Sequence, residues 1–116
     1  MLILIILVTI ISIANIPAVE AYTEVEAWKV YEITLTSQYS AGHYTDPMRD
    51  VDVTATFNAP GGGTIVRPGF WYEDNVWKVR FAPTKTGNWT YTISNNQGDT
   101  GLTVSTPVTI TCVAAS

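Results

Sequence analysis

From Val25 onward, aromatic and β-branched residues recur at every second position, in short runs interrupted by clusters of Gly, Pro, Asn and Asp. No other feature narrows the possible folds as much, because side chains alternate between the two faces of a strand but return every 3.6 residues on a helix. Within 26–36, Tyr31, Ile33 and Leu35 share a face opposite Glu32, Thr34 and Thr36. Within 50–58, Val51, Val53, Ala55 and Phe57 oppose Asp52, Thr54 and Thr56. Two short extended pieces, 64–66 and 69–72, flank Pro68, and the run 76–82 sets Trp77, Val79 and Phe81 against Lys78 and Arg80. Trp89, Tyr91 and Ile93 then oppose Thr90 and Thr92, and a last strand carries Val108, Ile110 and Cys112 on one face. Half-apolar strands joined by tight turns predict antiparallel sheets with one face buried. Two such sheets packed together, with about seven strands, predict an all-β, immunoglobulin-like antiparallel β-sandwich. Trp77, Trp89, Tyr91, Phe57 and Phe81 are its expected core.

The first 19 residues are almost wholly apolar and give way to the alternating pattern after Ala21. Val19-Glu20-Ala21 presents a signal-peptidase site, with Pro17 breaking any helix upstream. No Lys or Arg precedes the apolar run. The unbroken stretch 1–14 would span about 21 Å as a helix, short of a hydrocarbon core of about 30 Å. The expected organisation is therefore a signal peptide, 1–21, forming a hydrophobic helix, followed by one sandwich domain, 22–116. The product is expected outside the cytoplasm, secreted or at the cell surface, in an extracellular or periplasmic setting. The competing reading keeps the N-terminal helix as a membrane anchor or filament-forming segment of a surface structural protein.

A chain of 116 residues supports one core and has no room for a large catalytic fold. With 47% hydrophobic and 14% charged residues it has the apolar surface to offset the entropy of folding. The net charge is −4 and the six Lys and Arg are scattered, so no nucleic-acid partner is expected. A single cysteine, Cys112, excludes an internal disulfide and a Cys-based zinc cluster, leaving a buried thiol or a bond outside this chain.

The ordered set Glu26-Ala27-Trp28-Lys29-Val30-Tyr31-Glu32, Tyr44-Thr45-Asp46-Pro47, Thr56-Phe57-Asn58-Ala59-Pro60-Gly61-Gly62, Pro68-Gly69-Phe70, Trp77-Lys78-Val79-Arg80-Phe81-Ala82-Pro83 and Thr86-Gly87-Asn88-Trp89-Thr90-Tyr91-Thr92 resembles one module across about residues 24–114. It is similar to the N-terminal Ig-like domain of unknown function that precedes the TIM-barrel catalytic domain of secreted bacterial glycoside hydrolases, apiosidase-like or cellulase-like. Two features depart from that pattern: Ser40–Arg49 is longer and more polar, and the sequence stops at Ser116 where family members continue. The resemblance implies a non-catalytic accessory module that supports a C-terminal glycoside hydrolase domain, and it leaves open whether the module also contacts polysaccharide. This chain alone is then not an enzyme and is a fragment of a longer gene.

A sugar ring presents a flat patch of C–H groups that stacks on an exposed indole or phenol. Trp28 and Trp71 fall out of phase with their apolar neighbours, and with Tyr44 and Tyr72 they are the carbohydrate-contact candidates; Tyr39 lies nearby. No catalytic residue is expected. The carboxylates of Asp46, Asp50 and Asp52 and of Glu73 and Asp74 fall in turns or on a solvent face, where Asp bonds its own backbone. His43 stands alone without a second metal ligand, so no metal or other cofactor is expected. Gly61–Gly63 lacks the following Lys-Ser/Thr and helix of a phosphate loop and is read as a turn.

Overall fold

Each alternating run forms a strand, and its apolar side faces inward. The computed structural model describes residues 23–116; the expected signal peptide and its helix lie outside the described residues. The strands are β1 (Glu24–Glu26), β2 (Tyr31–Thr36), β3 (Val53–Asn58), β4 (Thr64–Pro68), β5 (Phe70–Glu73), β6 (Val76–Phe81), β7 (Gly87–Asn95) and β8 (Val104–Val113). They make a five-stranded sheet in the order β1-β8-β7-β3-β4 and a three-stranded sheet in the order β2-β6-β5.

The sandwich holds, and its antiparallel character needs one correction. β1 pairs with β8 in parallel, Glu24 opposite Thr111 and Glu26 opposite Val113, so the larger sheet is mixed. A hairpin fixes its two strands antiparallel, but β1 and β8 come from opposite ends of the described chain and no short turn fixes their sense. The remaining pairings are antiparallel. Two short helical turns also interrupt the all-β pattern. One is α1 (Pro47–Asp50), started by the Pro at its first turn. The other is a 3-10 turn, Thr100–Leu102, whose Gly101 amide donates to the preceding Asp99 side chain.

The two sheets meet through rings. Phe57 of the larger sheet stacks on Phe81 of the smaller at 3.9 Å, Tyr91 lies 5.5 Å from Phe57, and Trp89 meets Phe81 edge-on at 5.0 Å. Trp77, Trp89, Tyr91, Phe57 and Phe81 are all buried, as their alternation predicts. The Trp89 indole N–H donates to the Lys85 carbonyl at 2.9 Å, so this ring is buried without stranding a donor. Cys112 is a buried free thiol whose ordinary pKa is pushed up by burial. The glycine run closes the β3–β4 hairpin: Gly61, Gly62 and Gly63 all have positive φ, and the Ala59 amide donates to the Gly63 carbonyl at 2.9 Å.

Candidate functional site

The long polar segment after β2 leaves the smaller sheet and folds back over one end of the sandwich. What fixes it there is a carboxylate in the connection between β7 and β8. Asp99 is fully buried. It accepts hydrogen bonds from the Ser37 hydroxyl, from the Gln38 amide at 3.0 Å, from the Tyr44 hydroxyl at 2.9 Å and from the Gly101 amide at 2.9 Å. Burial pushes its carboxyl up, but the donors together outweigh that and hold it below the ordinary carboxylate value. Asn95 completes the joint, accepting from the Asp99 amide and donating to its carbonyl. Donors 37, 38 and 44 come from the smaller sheet's side and Asp99 from the larger, so this cluster links the sheets at that end.

Gly101 sits against the same joint. A Cβ there would lie 2.1 Å from the Thr36 carbonyl oxygen, so only glycine allows the 3-10 turn to approach β2 so closely.

With the segment fixed, a cleft of about 420 Å³ opens between it and the β5–β6 turn. Ser37 and the buried Trp77 form its floor. Tyr44, Pro47 and Trp71 make the walls, and Ser40, His43, Glu73 and Asp74 stand at the rim. The Tyr44 ring is edge-on to Trp77 at 6.0 Å. Its phenol is pushed up to about 12, by burial first and then by the Asp99 carboxylate. The Trp71 indole N–H donates to the Asp74 carbonyl at 3.0 Å, across a turn in which Asp74 itself takes a positive φ. His43 stacks on Tyr39 at 3.8 Å.

A second surface is the outer face of the three-stranded sheet. The Lys78 ammonium lies 4.4 Å above the Tyr72 ring and the Arg80 guanidinium 4.9 Å from the Phe70 ring. Glu32 bridges the two cations, at 2.8 Å to Lys78 and 2.7 Å to Arg80, and hydrogen bonds from Lys78 and then Arg80 hold its carboxyl below the ordinary value.

Trp28 projects from the turn after β1 and is 71% exposed. Its φ is +72°, a left-handed conformation that turns normally give to Gly or Asn, and its amide donates to the Pro83 carbonyl at 2.8 Å. The neighbouring Val30 is also exposed.

The four sugar-contact candidates thus divide. Trp71 and Tyr44 meet in the cleft, Tyr72 lies on the outer sheet face, and Trp28 stands on the turn after β1. The expected exposure of Trp71 needs adjustment: it is half-buried against the core, whereas its strand neighbours Phe70 and Tyr72 are exposed. Alternation holds across Phe70, Trp71 and Tyr72 with Trp71 on the inner face, and the register shift where β5 pairs with β6 comes only after Trp71. Sequence reasoning missed Asp99 altogether. Among the described residues no group of three or more His, Cys, Asp or Glu is placed to hold a metal ion.

The profile of the family described as "Domain of unknown function (DUF5060)" matches residues 24–96. A crystal structure from Bacteroides vulgatus ATCC 8482, described as a "putative glycoside hydrolase", is 26% identical over 81% of this chain, with a TM-score of 0.67. The match spans only 17% of that protein's length. The Lin-41 filamin domain is 16% identical, with 81% of this chain and 86% of that one covered at a TM-score of 0.58, and it shares the fold alone. No curated protein matches significantly.

Proposed function

This chain belongs to the DUF5060 family, and from that membership we propose that it is a non-catalytic β-sandwich module of a carbohydrate-active enzyme, supporting a glycoside hydrolase domain. The observation that carries the reading is the Bacteroides protein, in which a domain of this shape and 26% identity is a small part of a much longer chain. The more specific reading is that the enzyme is apiosidase-like or cellulase-like, with its barrel following the sandwich, and that the product is exported with residues 1–21 removed.

Support would act through a docked face, holding the neighbouring domain as a rigid body. The turn bearing Trp28 suits this role. The Ala27 amide donates to the Val113 carbonyl at 2.9 Å and the Ser116 hydroxyl reaches Glu26 at 3.4 Å, so a polypeptide continuing past β8 would leave beside Trp28 and Val30. A large apolar ring held outward suits an interface anchor, and backbone strain is often found at functional sites.

The test is to read the gene past Ser116 and express its product with and without the sandwich. The expected result is a glycosidase whose activity persists without the sandwich but whose thermal midpoint falls. A downstream product with no hydrolase activity, or one indifferent to removal of the sandwich, would overturn the reading. Mass spectrometry of the exported protein addresses the N-terminus. A first residue at Tyr22 supports export with cleavage, and retention of 1–21 supports the anchored or filament-forming surface protein that the apolar N-terminal run also suits.

A further inference from the structure

We infer that the cleft between the 37–47 segment and the β5–β6 turn is a binding site for an uncharged sugar unit, which rests on the accessory-module reading and gives it a location. The two wall aromatics have little polar capacity left to offer. The Trp71 indole N–H is committed to the Asp74 carbonyl and the Tyr44 hydroxyl to Asp99. Both rings are therefore oriented by their polar ends and present only ring surface to the cleft. Ring surface without a free polar tip suits the C–H face of a pyranose better than a ligand that must be gripped by hydrogen bonds from the walls.

Hydrogen-bonding capacity sits instead at the rim. The Ser40 hydroxyl, the His43 ring and the carboxylates of Glu73 and Asp74 surround the opening, where the hydroxyls of a stacked sugar would project. An apolar wall with a few polar groups at its edge is the usual composition of a small-molecule site, and about 420 Å³ falls within the usual size range.

Charge then selects among sugars. No Lys or Arg lines the cleft, and neither Glu73 nor Asp74 pairs with a basic side chain among the described residues. Two carboxylates at the mouth of a chain of net charge −4 repel an anionic glycan and leave a neutral one unaffected. The ligand class is therefore neutral hexose or pentose units, not uronates. The cleft is also prebuilt: the Asp99 joint holds Tyr44, and the β5–β6 turn holds Trp71, before any ligand arrives.

The deciding experiment is a titration of the purified chain, followed by NMR at the Trp71 indole N–H and the Tyr44 ring. The probes are neutral gluco-, xylo- and manno-oligosaccharides, their free monosaccharides and an oligogalacturonate. The expected result is that a neutral sugar shifts the Trp71 and Tyr44 signals and the oligogalacturonate does not. Trp71→Ala should weaken binding by about tenfold or more, Trp71→Phe should retain most of it, and the distant surface change Val66→Ser should leave it unaltered. Response to oligosaccharides alone assigns the site to a polymer, and an equal response to monosaccharides assigns it to free sugar or a chain end. No shift with any neutral sugar would overturn the inference. So would equal binding of the uronate, or binding lost with Tyr72→Ala while Trp71→Ala retains it. The wild-type titration decides even if an alanine variant fails to fold, and its result is independent of whether a hydrolase follows in the gene.

Discussion

Asp99 carries more of the local structure than any other polar residue described. Replacing it with Ala would leave two hydroxyls and two amides without their acceptor around a buried position. The expected cost is about 3 kcal/mol in chemical denaturation. Its titration gives a signed prediction as well. Because the folded carboxyl lies below its ordinary value, its stabilising effect is complete above about pH 3.9 and is lost as the pH falls through the folded value. Asp99→Asn should therefore flatten the acid limb of the stability profile. Tyr44 and Tyr91 behave oppositely. Both phenols are pushed up to about 12, by burial first and then by Asp99 and by Tyr31 respectively. Their contribution is complete below about pH 10 and is lost as the pH rises through 12. An ultraviolet titration should show two late phenolates accompanied by unfolding. At Trp28 the strain runs the other way. Trp28→Gly should raise stability by about 1 kcal/mol by relieving a left-handed φ, and Trp28→Ala should not.

At the scale of elements, the joint between the 3-10 turn and β2 is the least forgiving contact. Gly101→Ala places a methyl group against the Thr36 carbonyl, and since both partners are backbone, neither can rotate away. The expected loss is about 3 kcal/mol or more, with Tyr44 and Trp71 NMR signals shifting because the cleft's fixed wall moves. The elements also show where alternation can be read and where it fails. β3, β6 and β7 follow it closely, burying Val53, Ala55 and Phe57, then Trp77, Val79 and Phe81, then Trp89, Tyr91 and Ile93. These strands are neither the edges of their sheets nor broken by irregular pairing within those runs, except beyond Tyr91. β5 is an edge strand that also alternates, but with aromatic rings on both faces its pattern does not show which face is inner, and Trp71 is misplaced. β1 is too short for alternation to have meaning, and its parallel pairing depends on where β8 ends.

The described residues of the molecule share one core, closed to solvent in the folded state. Cys112 lies inside it, 2% exposed, with burial raising its thiol above the ordinary value. Alkylation should therefore be slow in native buffer and accelerate in step with global unfolding across a denaturant series; rapid native modification would show that the β7–β8 region opens locally. The two-sheet sandwich, its aromatic core, the glycine hairpin and the family resemblance are all legible along the chain, because each is written in spacing within a single strand or turn. That Asp99 is a buried joint, that β1 runs parallel to β8, and that Trp71 and Tyr44 share a cleft while Tyr72 faces away all depend on how distant segments pack. Asp99 meets its partners across 55 to 62 residues of chain. A carboxylate in a polar loop looks the same in sequence whether water or a second strand satisfies it, and only the closing of the two sheets makes the difference.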